Sequence, residues 1–415
     1  MQTNLSDQAK TLTRADEAEA ILRSCVHCGF CNATCPTYQL LGNELDGPRG
    51  RIYLIKQVLE GEPVSEKTQL HLDRCLSCRN CETTCPSGVK YHTLLDIGRV
   101  EVERRVPRPA QERLLRAGLR HVIPRTRLFA TALAAGRAVR PLLPVAVREK
   151  IPGRPIEAKP RPYARHARRV LLLEGCVQPS LSPNTNAAAA HVLDLLGISI
   201  TSAPKAACCG ATDYHLGAHE AGLERARRNI DAWWPELEAG AEAIVIPASG
   251  CGAFVKEYGE LLRLDPEYAH KARRVSSLAR DLAEVLAAEP LYALHAGSAQ
   301  RVAFHSPCTL QHAQKLGGLV EGILRRLGFD LTDVPDSHLC CGSAGTYSIT
   351  QPTLARQLRD NKLDSLVTGE PDIIVTANIG CQIHLNGAGR KPVRHWIELV
   401  EASLASPSPK QSPGS

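Results

Sequence analysis

Two stretches decide the fold of the N-terminal region: CVHCGFCNATCP at residues 25–36 and CLSCRNCETTCP at residues 75–86. Both have the spacing Cys-x2-Cys-x2-Cys-x3-Cys-Pro. In iron–sulfur proteins with two clusters, three closely spaced cysteines of such a run wrap one [4Fe-4S] cube, and the fourth reaches the other. The spacing therefore predicts two [4Fe-4S] clusters in one small helical domain.

Crossed ligation of this kind divides the eight N-terminal cysteines into two sets. The first predicted set is Cys25, Cys28, Cys31 and Cys85. The second predicted set is Cys75, Cys78, Cys81 and Cys35. Zinc is the alternative, because it also accepts four thiolates, but zinc motifs usually pair two short knuckles rather than repeat a run of three cysteines plus Cys-Pro. Two clusters in one ferredoxin-like domain predict an electron relay.

Four basic residues lie close in sequence to these motifs: Arg49, Arg51, Lys56 and Arg79. A cation beside a reduced cluster would raise its reduction potential. Ordinary surface charge or pairing at a helix end is an equally good interpretation of these side chains.

The composition is that of a globular protein with more than one domain. Of 415 residues, 43% are hydrophobic, 22% are charged and 16 are cysteines, and this length suggests two or three domains. The N-terminus lacks a secretory signal, and no apolar run approaches the roughly 20 residues that span a bilayer. We expect a cytoplasmic protein, free or peripheral on the cytoplasmic face of the inner membrane, whose reduced cysteines serve metal or redox chemistry.

A cysteine-free stretch at residues 104–169 separates two groups of eight cysteines. It contains 18 Lys or Arg and three acidic residues, although the whole chain has a net charge of only +7. Apolar and Arg positions at helical spacing predict amphipathic helices at residues 110–121 and 126–139. The stretch is either a solvated face that packs on its own neighbours or a docking surface for an acidic partner or an anionic membrane. Nucleic acid is not expected, because aromatic residues are few and no binding motif is present.

After residue 169, short β-branched or Leu-rich runs alternate with helical segments, and the unit then repeats. Strands are predicted at RRVLLLEGC, ISITSAP and EAIVIPASGC, and again at RVAFHSPC, FDLTDVP and PDIIVTANIGC. Each unit places one cysteine after its first strand, Cys-Cys-Gly after its second and one cysteine after its third. These cysteines recur at offsets of 130 to 132 residues, and they are Cys176, Cys208, Cys209, Cys251, Cys308, Cys340, Cys341 and Cys381.

If each sheet is parallel, the four cysteines of a lobe meet at its carboxyl edge, where open α/β sheets bind ligands. The glycine after Cys-Cys predicts a turn with its backbone pressed against a neighbour. Core filling is the alternative, but the matched positions favour a metal or redox role, including additional iron–sulfur clusters in the lobes. His215, His305 and His384 lie nearby in sequence, and we expect structural hydrogen bonds rather than metal ligation from them.

The sequence thus predicts a mixed α+β and α/β chain of five segments. They are a two-cluster ferredoxin-like domain at residues 1–103, a basic helical connector at 104–168, Cys-Cys-Gly lobes at 169–298 and 299–404, and a disordered tail at 405–415.

Together the paired runs, the segment GPRGRIYLIKQVLEG at residues 47–61 and the tandem lobes resemble the iron–sulfur subunit family of bacterial glycolate oxidases, over nearly the whole chain apart from its tail. The resemblance implies an electron-transfer subunit of a glycolate, or other 2-hydroxy acid, dehydrogenase. Its FAD-containing partner subunits would oxidise the substrate, and quinone or another membrane acceptor would receive the electrons. The resemblance implies no catalytic residue on this chain.

The Cys-Cys-Gly architecture is also similar to that of heterodisulfide reductase, anaerobic glycerol-3-phosphate dehydrogenase and lactate-utilisation proteins. Lobes of heterodisulfide reductase end in Cys-x2-Cys, whereas Ala248 and Asn378 stand three residues before Cys251 and Cys381 here. Each lobe therefore lacks one thiolate of that pattern. A four-cysteine cluster, a quinone-facing site and a vestigial scaffold all remain open.

Three functions compete at this point. An electron-transfer subunit is favoured, because the chain has no G-x-G-x-x-G after a strand, no P-loop and no evident catalytic triad or carboxylate pair. A self-contained disulfide reductase working at the Cys-Cys-Gly edge is the second, and the missing thiolates argue against it. A zinc-bound scaffold without redox activity is the third. An iron–sulfur subunit of a lactate or glycerol-3-phosphate dehydrogenase is a variant of the first.

Overall fold

The computed structural model describes residues 1–143, 148–149, 151–152, 156–162, 165–294 and 298–404. Its first hundred or so residues are helical. The α-helices are Asp7–Lys10, Ala15–Ser24, Phe30–Ala33, Pro36–Leu41, Pro48–Glu60, Glu66–Asp73, Asn80–Thr84 and Tyr91–Arg105, and a 3-10 turn lies at Glu44–Asp46. Pro36 starts its helix at the first position, where the missing N–H costs no intrahelical bond.

Two long helices of this region, Pro48–Glu60 and Tyr91–Arg105, cross closely and form the centre of its apolar core. Ile55 and Leu94 are fully buried at the crossing. Gly98 permits the close approach, because a Cβ atom there would lie 2.6 Å from Cγ1 of Ile55. The helices therefore form a rigid frame for the cysteine loops that precede and separate them.

The connector forms surface helices at Ala110–Val122 and Thr126–Ala138, followed by a 3-10 turn at Arg140–Leu142. The first of these helices has no buried residue. In the second, Leu133 is buried against a small apolar cluster that includes Ala248 and Ile379. The predicted helices are thus present, and this part of the chain is held to the lobes by few apolar contacts.

Each lobe contains a four-stranded, fully parallel sheet. In the first lobe the strands β1 to β4 are Arg168–Leu172, Ile198–Thr201, Ile244–Ile246 and Ala279–Asp281, in the order β2-β1-β3-β4. In the second lobe the strands β5 to β8 are Ser298–His305, Phe329–Leu331, Ile373–Thr376 and Val393–His395, in the order β6-β5-β7-β8. The sequence predicted three strands per lobe, and the structure adds β4 and β8.

The helices of the lobes cover both faces of the sheets. In the first lobe they are Gln178–Leu181, Pro183–Leu195, Ala211–His215, His219–Glu238, Ser249–Lys256, Tyr258–Leu261, Ala269–Leu278 and Leu282–Ala287, with a 3-10 turn at Leu291–Ala293. In the second lobe they are Leu319–Arg326, Tyr347–Thr350, Pro352–Val367, Ile379–Asn386 and Trp396–Ser403, with a π-helical turn at Thr309–Ala313.

The two lobes share one apolar core. Val170 and Leu172 of the first sheet belong to the same buried cluster as Val302 and Val375 of the second. A backbone hydrogen bond of 3.0 Å from Ser249 N to the carbonyl oxygen of Ala377 joins corresponding loops. The lobes are therefore a single folding unit built from two copies of one topology.

The helical N-terminal part contacts both lobes. Glu17 accepts a bond of 2.9 Å from Arg263 of the first lobe. Asn80 donates to the carbonyl oxygen of His338 at 3.2 Å, and Thr83 lies 3.1 Å from Nδ1 of His312, both in the second lobe. The cysteine loops are consequently fixed relative to the Cys-Cys-Gly edges.

The predicted fold class is confirmed: a helical two-cluster domain precedes two α/β lobes with parallel sheets. The predicted segment boundaries stay predictions, and the tail at residues 405–415 lies outside the described residues. Among the helices of the described part, none has the length and apolar character needed to cross a membrane.

Candidate metal centres

The two cysteine loops of the N-terminal part have the same backbone conformation. In the first loop His27 and Gly29 have φ values of 62° and 87°, and in the second Ser77 and Arg79 have values of 52° and 60°. Left-handed conformations are unfavourable for residues other than glycine and persist where the surroundings impose them. In each loop these two residues turn the chain around that loop's own cavity, so that its thiols line the cavity.

Each loop encloses a cavity together with one cysteine from the other motif. The first cavity, about 430 Å³ with its mouth included, is lined by Cys25, Cys28, Cys31 and Cys85, and Cys81 also touches it. The second, about 300 Å³, is lined by Cys35, Cys75, Cys78 and Cys81. Cys85 lines only the first of these two cavities and Cys35 only the second, which is the distribution that crossed ligation requires.

Buried thiols held this close together resist ionisation. Burial and the neighbouring Cys25 and Cys85 raise the pKa of Cys31 to about 11. Burial together with Cys78 and Cys75 likewise raises the pKa of Cys81 well above its ordinary value. A bound metal centre would supply the positive charge that lets all four thiolates coexist. The donor set and its crowding therefore fit a [4Fe-4S] cluster in each cavity.

The two cavities share Pro48, Cys81 and Tyr91 as lining residues. Only one layer of side chains therefore separates them. Groups held at these two positions would be near enough to exchange electrons directly, as in two-cluster ferredoxins.

The second cavity has a polar wall that the sequence alone did not reveal. The buried Arg51 donates to the carbonyl oxygen of His71 at 2.7 Å and to Oγ1 of Thr37 at 3.1 Å. Tyr91 donates from its hydroxyl group to Sγ of Cys75 at 3.5 Å. Burial alone would lower the pKa of Arg51, but the charges around it, Cys75 foremost, raise it overall. A permanent cation and a hydroxyl donor thus face this cavity.

The other basic residues near the motifs differ in what they contact. Arg49 lines the first cavity and pairs with Glu44 at 2.6 Å. Arg79 lines the second and pairs with Glu257 of the first lobe. Lys56 pairs with Glu60 one helical turn away. The tuning interpretation therefore suits the three arginines, and helix-surface pairing describes Lys56.

The first cavity opens at the surface. Cys28 is exposed, and the surrounding apolar side chains are exposed too: 68% for Val26, 62% for Phe30 and 43% for Tyr53. Because exposed apolar residues grouped at one place mark interaction sites, this rim, which we call the Phe30 rim, is a candidate contact for a partner protein. No sequence pattern predicted it, because Val26 and Phe30 lie between cysteines whereas Tyr53 lies on the helix Pro48–Glu60.

The second cavity lies against the second lobe. Leu76 and Cys78 belong to a small apolar cluster with Cys308, Cys340 and Tyr347. Cys308 and Cys340 of the second lobe therefore lie next to the wall of the second cavity.

In both lobes the Cys-Cys-Gly cysteines meet at the carboxyl edge of the sheet, as the parallel arrangement predicted. In the first lobe the thiol of Cys208 interacts with those of Cys176 and Cys209, and Cys209 also interacts with Cys251. In the second lobe Sγ of Cys308 lies 3.8 Å from Sγ of Cys340. The remaining two thiols of that lobe, Cys341 and Cys381, interact with each other.

The glycine after each Cys-Cys pair has a conformational role. Gly210 and Gly342 have φ values of 102° and 83°. A Cβ atom at Gly342 would lie 2.7 Å from the carbonyl oxygen of Ala355, and one at Gly210 would overlap the carbonyl oxygen of Gly222. Each glycine therefore packs against a longer helix of its own lobe, His219–Glu238 for Gly210 and Pro352–Val367 for Gly342.

The positions of the missing thiolates differ between the lobes. Asn378 donates from Nδ2 to Sγ of Cys381 at 3.4 Å and accepts from Gly250 N at 3.3 Å. Ala248, its counterpart, is buried in an apolar cluster. The second lobe therefore retains a polar group at this point, and the first does not.

The three histidines that lie near the cysteines in sequence have different surroundings. His384 lies 3.1 Å from the carbonyl oxygen of Ala355 through Nε2, and His215 lies 3.9 Å from the carboxylate of Asp96. These two make the structural contacts that we expected. His305 is 1% exposed, and one of its ring nitrogens lies within 4.8 Å of the thiols of Cys341 and Cys381, which lie equally close to each other.

A two-cavity cysteine domain joined to two Cys-Cys-Gly lobes defines an iron–sulfur electron-transfer protein. Comparison with known families agrees: residues 21–89 match the 4Fe-4S dicluster domain, and residues 170–256 and 302–386 match the cysteine-rich domain. The chain carries its [4Fe-4S] clusters in the first of these domains.

Individual relatives specify the family. The chain is 67% identical over 404 residues to the glycolate oxidase iron-sulfur subunit of Escherichia coli K12, with 97% of this chain and 99% of that protein covered. It is 33% identical to the probable glycolate oxidase iron-sulfur subunit of Bacillus subtilis 168, with 90% and 89% covered. Lactate utilization protein A of Geobacillus thermodenitrificans is 30% identical over 56% of this chain. The chain belongs to the glycolate oxidase iron-sulfur subunit family and is part of an oxidoreductase complex.

Proposed function

We propose that this chain is the electron-transfer subunit of a flavin-dependent glycolate dehydrogenase. In this proposal one [4Fe-4S] cluster is held by Cys25, Cys28, Cys31 and Cys85. The other is held by Cys75, Cys78, Cys81 and Cys35. When bound, each cluster accepts and returns one electron at a time. The observation that carries the proposal is the pair of cysteine-lined cavities with the shared wall of Pro48, Cys81 and Tyr91.

The hydride chemistry belongs to a partner. Oxidising a hydroxyl-bearing carbon releases two electrons together, and a flavin is the cofactor that accepts such a pair and releases single electrons. The chain has no dinucleotide-binding fingerprint in its sequence. FAD-containing glycolate dehydrogenase subunits are therefore the proposed electron donors.

The Phe30 rim is the proposed entry point. Val26 and Phe30 line the first cavity, Tyr53 stacks on His27 of its wall, and all three expose apolar surface, which a partner can cover with a gain from burial. Cys28 is exposed in the same place, so a flavin on the partner can approach the ligands closely. The second cavity, next to Cys308 and Cys340, is the proposed exit towards quinone or another acceptor at the membrane.

Two alternatives have less support. A self-contained disulfide reductase needs a thiol that a substrate can reach, but seven of the eight Cys-Cys-Gly cysteines are buried and Cys251 is only partly accessible. A lactate-specific subunit is less favoured, because identity to lactate utilization protein A covers about half of this chain at 30%. Identity to the glycolate relative covers 97% at 67%.

The experiment is reconstitution. The isolated, cluster-loaded chain should not reduce an artificial dye with glycolate, and adding its FAD-containing partners should start the reaction. Dye reduction by this chain alone, without flavin in the preparation, would refute the proposal. Lactate tested in parallel distinguishes the substrate.

The entry point has a matched test. Phe30→Glu places a charge on the rim and should weaken the partner-dependent reaction, with the effect appearing as a higher partner concentration for half-maximal rate. Leu195→Glu makes the same change at another exposed site, 59% accessible, and should leave that concentration unchanged. If both substitutions changed this concentration equally, the Phe30 rim would not be part of the interface.

A further inference from the structure

His305 stands at the end of β5 with a buried imidazole that makes no hydrogen bond within the described structure. It is 1% exposed, and both of its ring nitrogens lack a partner there. Buried polar nitrogens in folded proteins are almost always bonded, and an exception calls for an explanation such as a bound ion. The neutral imidazole is also the most frequent nitrogen ligand for metal ions.

Two thiols complete a convergent set with this imidazole. One ring nitrogen of His305 and the Sγ atoms of Cys341 and Cys381 all lie within 4.8 Å of one another, and all three residues are buried. Ligands of a single tetrahedral zinc ion are about 3.6 to 3.8 Å apart, given bond lengths of roughly 2.0 to 2.3 Å. Small side-chain rotations would therefore bring the three atoms onto one metal ion. Ligands of separate irons in a cubane stand further apart.

The surroundings of these ligands provide outer support. Asn378 donates from Nδ2 to Sγ of Cys381 at 3.4 Å, which favours the thiolate and orients it. Cys340 precedes Cys341 directly, and the two thiols interact. Cys340 lies outside the convergent set of three, with its Sγ 3.8 Å from that of Cys308, and rotation of its side chain towards Cys341 would supply the fourth ligand of a closed site.

The first lobe provides an internal comparison. The repeat offset of 132 residues places Leu173 at the position of His305, and Leu173 is buried with 2% exposure. The first lobe therefore fills this position with an apolar side chain, which needs no hydrogen-bond partner or metal ion. The other carries an imidazole, together with Asn378 in place of Ala248. The difference confines the convergent ligand set to the second lobe.

We propose that His305, Cys341 and Cys381 bind one zinc ion in the second lobe, with Cys340 as the fourth ligand. A nitrogen and sulfur donor set is the one zinc prefers in closed sites. The ion fastens the ends of β5 and the Cys-Cys-Gly loop together beside the second cavity. It takes no part in electron transfer, so the inference is independent of the proposed function.

Metal analysis of the full chain tests the site directly. The purified wild-type chain should contain one zinc ion in addition to its iron, and X-ray absorption at the zinc edge should report one nitrogen and three sulfur ligands. His305→Leu, which copies the first lobe, should lose the zinc while keeping the iron and the electron paramagnetic resonance signals of the N-terminal centres. Zinc content unaffected by this change, or iron lost in its place, would overturn the proposal.

A second variant keeps the test decisive if His305→Leu folds poorly. His305→Cys should retain the zinc and convert its shell to four sulfur ligands, visible as loss of the nitrogen contribution in the absorption spectrum. Cobalt substitution should give intense sulfur-to-cobalt charge-transfer bands in both wild type and His305→Cys. A shell that is the same before and after the change to cysteine would exclude His305 as a ligand.

Discussion

The hydroxyl group of Tyr91 donates to Sγ of Cys75 at 3.5 Å while its ring lies between the two cysteine cavities. Burial, followed by the nearby Cys75, raises the pKa of Tyr91 well above its ordinary value. The phenol is therefore protonated at every working pH and is a permanent donor. A donor to a ligand sulfur stabilises the reduced, more negative state of a centre held there.

The first prediction follows from this bond. Tyr91→Phe should lower the midpoint potential of the second centre by roughly 40 mV, because a bond that favours the reduced state by about 1 kcal/mol is lost. Redox titration monitored by electron paramagnetic resonance measures the shift. Tyr53→Phe, at the exposed rim, should leave this potential unchanged. An unaltered potential in Tyr91→Phe would show that the bond does not tune the centre.

Ligand exchange between the motifs can be tested by two reciprocal substitutions. Cys35→Ser should damage the second centre and spare the first, whereas Cys85→Ser should do the reverse, because each of these cysteines lines only one of the two cavities. Iron content should fall from about eight to about four per chain in either variant. Spectra in which each substitution removes the centre of its own motif would contradict crossed ligation.

The connector offers a test of docking by charge. Of the connector arginines, Arg113 and Arg127 are exposed and form no ion pair within the described part of the chain. Arg116 instead pairs with Glu112 at 2.9 Å, and Arg120 lies 3.5 Å from Asp213. Changing Arg113 and Arg127 to Glu should weaken binding to the flavoprotein or membrane several-fold at low salt, and the difference should shrink as salt rises.

The control for this change is Arg274→Glu, which reverses an exposed charge outside the connector. Sedimentation with vesicles and pull-down with the flavoprotein separate the two partners. Binding that ignores both salt and the double substitution would mean that the connector charge is merely solvated. Arg116 is unsuited to the test, because its reversal also breaks the ion pair with Glu112.

Stability should depend on pH through Asp281. Burial raises the pKa of this carboxyl group from 3.8 to about 7. The folded state therefore holds a proton between these values that the unfolded state has released. This difference contributes at most about 4 kcal/mol to the free energy of unfolding. The contribution is complete below the pKa of the unfolded state and is lost as the pH rises towards 7.

Asp281→Asn removes this titration and keeps a side-chain oxygen for the cap of helix Leu282–Ala287, where Ala283 N donates to Asp281 at 3.0 Å. Thermal unfolding between pH 5 and pH 8 should show the wild type losing stability relative to the variant. Parallel curves over that range would assign the carboxyl group an ordinary pKa.

Much of the architecture could be predicted from cysteine spacing, because a short run of ligands constrains the backbone around it. Strands β4 and β8 were missed, because each is three residues long and runs directly into a helix, Leu282–Ala287 after β4 and Trp396–Ser403 after β8. The two are recognised only from their pairing with β3 and β7.

Contacts between segments distant in sequence could not be predicted. The sequence left open whether the connector packs on its own neighbours, and the structure shows two such contacts: Arg116 lies 3.4 Å from Asp73 and Arg120 lies 3.5 Å from Asp213. His305 looked like an ordinary core histidine. A signal was present, since the matching residue of the first lobe is Leu173, but a single difference between repeats means little until the neighbouring thiols are located.

The unequal covering of the two cavities affects how clusters are inserted and how they are damaged by oxidation. The first opens at the surface beside the exposed Cys28, whereas the second is partly covered by Leu76 and by the second lobe around Cys308 and Cys340, and its Cys78 is half-buried. In the folded chain a cluster should therefore be easier to insert at the first position than at the second. Oxygen and peroxide have easier access to the first cavity than to the second. Oxidative damage should therefore begin at Cys28, where repair does not require the chain to unfold.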